Sequence, residues 1–143
     1  MNNRILIIDD DEDLAEELAE SFSAHGFSVS RVNNGLDGRK ELTANVYNFL
    51  ILDIKIPGIN GFEILEWLIG SGLQIKTIVL TGMPFPDESQ ENRQPEKSEK
   101  RMLLKTAAKV INKPFPTGML IRLIERMKEL APFPTPNGSQ SVE

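Results

Sequence analysis

The sequence predicts an α/β fold, an open doubly wound sheet of parallel strands with helices on both faces. Three observations carry that prediction. Short runs rich in Ile, Val and Leu alternate with stretches of helical period, the pattern of successive βα units. The runs Arg4–Ile8, Phe49–Leu52 and Ile75–Leu80 are short and rich in Ile, Val and Leu, as expected of strands buried on both faces. Acids, a hydroxyl and an amine fall just beyond the runs, at the carboxyl edge where doubly wound sheets hold their ligands.

Taken in order, Arg4–Ile8 is the first strand, and Leu14, Ala15, Leu18, Ala19 and Phe22 give the next helix one apolar face. That helix should stop near His25-Gly26, because glycine accepts the left-handed backbone that ends helices. Phe27–Val32 mixes Phe27, Val29 and Val32 with Ser and Arg, which suits an outer strand. A weaker second helix would use Leu36, Leu42 and Ala44. After the strand Phe49–Leu52, residues Phe62, Leu65, Leu68 and Ile69 mark a third helix, ended by Gly70-Ser71-Gly72. Strand Ile75–Leu80 follows. Residues 83–101 are polar and proline-bearing and read as a long surface loop, leading into a short helix around Arg101–Ala107. Val110–Ile111 is the fifth strand. Thr117 is placed to cap a last helix built on Leu120, Leu123, Ile124, Met127 and Leu130. Residues 1–131 thus form one domain, and the Pro- and Ser-rich residues 132–143 a flexible tail or linker.

Composition removes several function classes. At 143 residues, with 40% hydrophobic and 26% charged residues, the chain suits one soluble globular core. A net charge of -5 with no local basic patch argues against direct nucleic-acid binding. Absence of cysteine excludes disulfides, thiolate metal sites and a Cys nucleophile, and the single His25 excludes a multi-histidine metal site. No apolar run is long enough to span a bilayer and the start lacks a signal-peptide core, so the chain reads as cytoplasmic with no membrane role.

The strand tips carry the chemistry. The first run ends in Asp9-Asp10, the third in Asp53, the fourth in Thr81-Gly82 and the fifth in Asn112-Lys113-Pro114. Carboxylates gathered on one edge raise one another's pKa unless a cation neutralises them, and oxygen ligands with room for water suit Mg²⁺. A free carboxylate oxygen could then attack phosphorus while Lys and Mg²⁺ offset the charge on the phosphoryl oxygens. Phosphoryl transfer to an aspartate is the chemistry implied.

Blander readings exist for each motif. The acids Asp11, Glu12 and Asp13 suit a helix N-terminus, where they complement the dipole and one of them caps. A calcium loop could use Asp9, Asp11, Asp13 and Glu20, but Leu14 stands where that loop needs glycine, and a strand precedes it. Asp53 could simply end a strand, Thr81 and Lys113 could be ordinary strand and surface residues, and Trp67 could pack on a helix flank.

The segments ILIIDDDED, FLILDIKIPGINGFEIL, IVLTG and VINKPF, in that order, resemble the receiver domain of two-component response regulators, over roughly residues 4–131. Pro57, Gly58 and Gly61 fit the family's P-G-x-x-G pattern after the acceptor. The resemblance implies a flavodoxin-like sheet of order 2-1-3-4-5 and phosphorylation by a sensor histidine kinase or phosphotransfer protein. By position, Asp53 would accept the phosphoryl group, and Asp9, Asp10, Asp53 and the Lys55 backbone carbonyl would hold Mg²⁺. Thr81 and Lys113 would contact the phosphoryl oxygens, with Lys113 before a cis Pro114. Such a domain signals, catalysing only its own phosphorylation and dephosphorylation, through an output protein, an output domain or a phosphorylation-dependent homodimer.

This chain departs from the family pattern in places. Val110 stands where receivers usually carry Tyr or Phe, so the aromatic half of the usual switch is missing. Gly82 replaces the common Ala after Thr81, and the stretch from Thr81 to Lys113 is extended within residues 83–101. Lys55 occupies a position that affects how water reaches the phosphoryl group. Two other function classes compete: a receiver-like scaffold that binds partners without phosphorylation, and a phosphatase of the haloacid-dehalogenase type. The second needs another acid two residues after its nucleophile, where this chain has Lys55.

Overall fold

A computed structural model describes residues 3–82 and 95–130 of the chain. Its elements run β1 (Arg4–Ile8), α1 (Glu12–Ala24), β2 (Ser28–Val32), α2 (Gly35–Ala44), β3 (Phe49–Asp53), α3 (Gly61–Ser71), β4 (Lys76–Thr81), α4 (Pro95–Leu104), β5 (Lys109–Asn112) and α5 (Thr117–Leu130). All strand pairs are parallel, and the order across the sheet is β2-β1-β3-β4-β5.

Side-chain alternation along each strand supplies two cores. Ile5, Ile7, Phe49, Ile51, Ile78, Leu80 and Ile111 pack on one face against Ala15, Leu18 and Phe22 of α1 and Leu120, Ile121 and Ile124 of α5. Leu6, Ile8, Leu50, Leu52 and Val79 pack on the other against Leu42 of α2, Ile64 and Leu65 of α3 and Leu104 of α4. A strand covered by helices on both faces must be apolar at consecutive positions, which is why β1, β3 and β4 show no polar alternation. A slip of one residue would exchange the two faces, so burial also fixes register.

Several sequence expectations need correction. The helix expected at Arg101–Ala107 is instead Pro95–Leu104, and so reclaims part of the stretch read as loop. Proline suits its first position, where the missing N–H would have had no intrahelical partner. The rest of that loop and the tail 132–143 lie outside the described residues. Thr117 is not a cap but the first helical residue, and its hydroxyl donates to Glu17 Oε2 at 2.7 Å, tying α5 to α1. Leu36 and Ile69 are 50% and 58% exposed, so helical spacing overstated the apolar faces of α2 and α3.

Other expectations hold. Asp11 caps α1 by accepting from the Leu14 N–H at 3.1 Å. Gly72 ends α3 with φ 76°. Trp67 lies on the α3 flank, half-buried, beneath the Arg39 guanidinium. β2 and β5 are the outer strands.

Candidate functional site

The acidic site follows from the register. Ile8 pairs with Leu52, so the next residue on each strand, Asp9 and Asp53, emerges side by side. Alternation points both toward the face that carries Ile7 and Ile51, and Lys113, two residues beyond Ile111, belongs to the same row. Thr81 is in the opposite phase, in the row of Val79, and is buried at the end of β4.

Lys113 Nζ stands 3.1 Å from Asp9 Oδ2 and 3.3 Å from Asp53 Oδ2, an ammonium bridging two buried carboxylates. The Lys113-Pro114 bond is cis, as expected. Backbone amides hold the other oxygens: Asp11 N–H donates to Asp9 Oδ1 at 2.9 Å, and Lys55 N–H to Asp53 Oδ1 at 3.3 Å. Asp10 is exposed, yet one oxygen each from Asp9, Asp10 and Asp53 can lie within 4.8 Å of the others. The Lys55 side chain is exposed.

Burial, together with the charge and hydrogen bonding of Asp9, pushes the Asp53 pKa up to about 6, against the opposing pull of Lys113 and the Lys55 amide. Burial disfavours the Lys113 ammonium, but the hydrogen bond and charge of Asp9, followed by those of Asp53, outweigh it and hold its pKa above the ordinary value. One ammonium facing three carboxylates leaves the cluster net negative. The donors are all oxygen, and exposed Asp10 leaves an approach from solvent, so the site fits a hard hydrated cation such as Mg²⁺.

Some supporting residues escaped the sequence reading. Asp11 does more than cap, since its N–H orients Asp9. Asn60 and Glu63 form a reciprocal capping box that starts α3 directly after the loop following Asp53. Asn60 followed three residues later by Glu63, before an apolar run, was a readable signal for it. A third, the fit of Gly35 against Ile59, pairs residues distant in sequence and has no local signature.

The family model of the response regulator receiver domain matches residues 5–125. Response regulator MprA of Mycobacterium tuberculosis is 33% identical over 81 residues, which is 57% of this chain and 35% of MprA. BvgA of Bordetella pertussis is 38% identical over 85 residues, 59% of this chain and 41% of BvgA, so the chain matches less than half of either relative's length. Sporulation initiation phosphotransferase F of Bacillus subtilis is 33% identical over 94 residues, 66% of this chain and 76% of that protein. Among solved structures, a CheY-like receiver domain protein of Methanospirillum hungatei superposes with a TM-score of 0.73 at 25% identity, covering 88% of this chain and 93% of that one. Sheet order, strand-tip acids and family match agree: the chain belongs to the response regulator receiver domain family of two-component systems.

Proposed function

We propose that the chain is a phosphoacceptor, taking a phosphoryl group onto Asp53 from a sensor histidine kinase or phosphotransfer protein. The observation that carries this reading is the bridge from Lys113 to buried Asp9 and Asp53 at the carboxyl edge of the sheet. Without a cation, burial and the charge of Asp9 raise the Asp53 pKa to about 6, a charge conflict that a bound cation would relieve. An Asp53 oxygen attacks phosphorus, the P–N bond of a phosphohistidine breaks with its electron pair leaving on the imidazole, and Asp53 becomes an acyl phosphate. Lys113 offsets charge on the phosphoryl oxygens, and the Thr81 hydroxyl, at the tip of neighbouring β4, would turn toward the site to donate to one of them. Asp9, Asp10, Asp53 and the Lys55 carbonyl would hold Mg²⁺, which supplies the positive charge that lets an anionic donor approach an acidic site.

In this reading residues 1–131 act as the receiver domain and 132–143 as a tail or linker, and the product state alters a surface for an output protein or domain. Val110 bears on that step. It lies on edge strand β5, is 40% exposed and has no ring to turn inward, which favours the second reading, a receiver-like scaffold that binds partners without phosphorylation. Acetyl phosphate with Mg²⁺ should add one phosphoryl mass to the wild type and none to Asp53→Asn; labelling of the variant would rule out Asp53 as acceptor. A partner that binds equally with and without beryllofluoride would instead support a scaffold.

A further inference from the structure

The loop between β3 and α3, residues 54–60, carries Lys55 and is gripped at points far apart in sequence. Its first residue is pinned to the sheet, where Ile54 N–H donates to the Leu80 carbonyl at 3.1 Å. Its far end is pinned where Gly61 N–H donates to the Ile54 carbonyl at 2.9 Å. Gly58, with φ 78°, turns the chain between them.

The middle of the loop meets α2. Gly35, the buried first residue of that helix, donates its N–H to the Pro57 carbonyl at 3.3 Å. A Cβ on Gly35 would overlap the Ile59 carbonyl oxygen and lie 2.7 Å from its carbon. Both are backbone atoms, so a side chain here cannot be accommodated by a rotamer change. Gly70, on α3, offers a contrast: a Cβ there would meet nothing within 4 Å.

We propose that Gly35 is a positioning residue for the acidic site, holding Pro57 and Ile59 against α2 and thereby setting where the Lys55 carbonyl lies. With both loop ends pinned, a shift forced at residues 57–59 is absorbed on two sides, by Lys55 and Ile56 before the contact and by Asn60, held in the α3 capping box, after it. Ile56 is buried and resists movement, so the Lys55 peptide takes much of the displacement. The inference rests on Asp9, Asp10, Asp53 and the Lys55 carbonyl being the Mg²⁺ ligands. It makes α2 and cation binding mutually dependent, because a coupling between two sites acts equally in both directions.

The test is an NMR titration of the full 143-residue chain with MgCl₂. Gly35→Ala should shift the Lys55–Ile59 amides before any Mg²⁺ is added and raise the Mg²⁺ dissociation constant roughly tenfold. Gly70→Ala, an equal change made in open space, should leave the constant unchanged. Asn34→Ala removes the α2 N-cap without adding an atom, and should weaken binding in the same direction by a smaller factor. If Gly35→Ala does not fold, Asn34→Ala alone decides between coupling and none. In the wild type, Mg²⁺ should slow hydrogen exchange at the Gly35 amide. A normal wild-type response with unchanged affinity in Gly35→Ala and Asn34→Ala, or an equal loss in Gly70→Ala, overturns the coupling alone. No wild-type response at Asp9, Asp10 and Asp53 overturns the ligand set, and the coupling with it.

Discussion

β3 and β5 each present a site residue at or just beyond the carboxyl end, but they sit in opposite surroundings. β3 is buried at every position from Phe49 to Asp53, between β1 and β4 and under helices on both faces. β5 closes the sheet with one neighbour, and of its residues only Ile111 is buried. The Asp53 carboxylate, the proposed acceptor, is thus mounted on the most enclosed strand, and the lysine that bridges it to Asp9 follows an exposed edge. A rigid mount suits a nucleophile whose geometry must not vary. An edge is where a signal can be read.

Substitutions test this contrast in order of expected size. Ile51→Ala, in the middle of β3, should cost about 2–5 kcal/mol in urea unfolding, because a fully enclosed site cannot collapse around the lost atoms. A cost near that of an edge substitution would break the comparison.

Removing the cation should come next. Lys113→Ala leaves Asp9 and Asp53 facing one another and should destabilise the Mg²⁺-free protein by about 1–3 kcal/mol at neutral pH. Since Lys113 lowers the Asp53 pKa, the variant's Asp53 should titrate above about 6, which ¹³C carboxyl shifts would reveal.

Asp53→Asn should have the opposite sign. The folded-state pKa of about 6 lies above the ordinary 3.8, so the wild-type carboxyl favours folding most below pH 3.8, and that contribution is lost as pH rises through about 6. The variant should therefore gain about 1–2 kcal/mol over wild type at pH 7 without Mg²⁺, after allowance for solvent screening. The gain should fade on acidification toward pH 4, and Mg²⁺ should stabilise wild type more than variant. Equal melting curves across that range would refute the strained-carboxylate picture.

Val110→Ala should be the mildest, below about 1 kcal/mol, because a side chain already 40% exposed gives up little burial. A larger loss would mean that β5 is as constrained as β3.

How far the sequence could be read depended on how local each cause was. Consecutive apolar residues identified β1, β3 and β4 and placed Asp9, Asp53 and Thr81 at their ends, because two-sided burial leaves that pattern in the chain itself. Helical spacing found α3 but counted Ile69 as part of its buried face, since spacing does not report how wide a face the neighbouring elements cover. α4 began earlier than its apolar residues suggested, because a proline is tolerated at a first helical position, which the spacing of apolar residues does not report. Thr117 looked like a cap from its own helix alone, and its bond to Glu17 required the packing of α5 on α1.

By itself, then, the sequence determined the alternation of strands and helices, the acidic and basic residues at the strand tips, and the family to which they point. Tertiary structure alone decided that Lys113 bridges Asp9 and Asp53, that burial beside Asp9 lifts the Asp53 pKa to about 6, and that Gly35 grips the loop at Ile59. The physical reason is range. Pattern and propensity act over a few neighbouring residues, whereas desolvation, charge pairing and backbone contact depend on which distant segments the sheet register brings together.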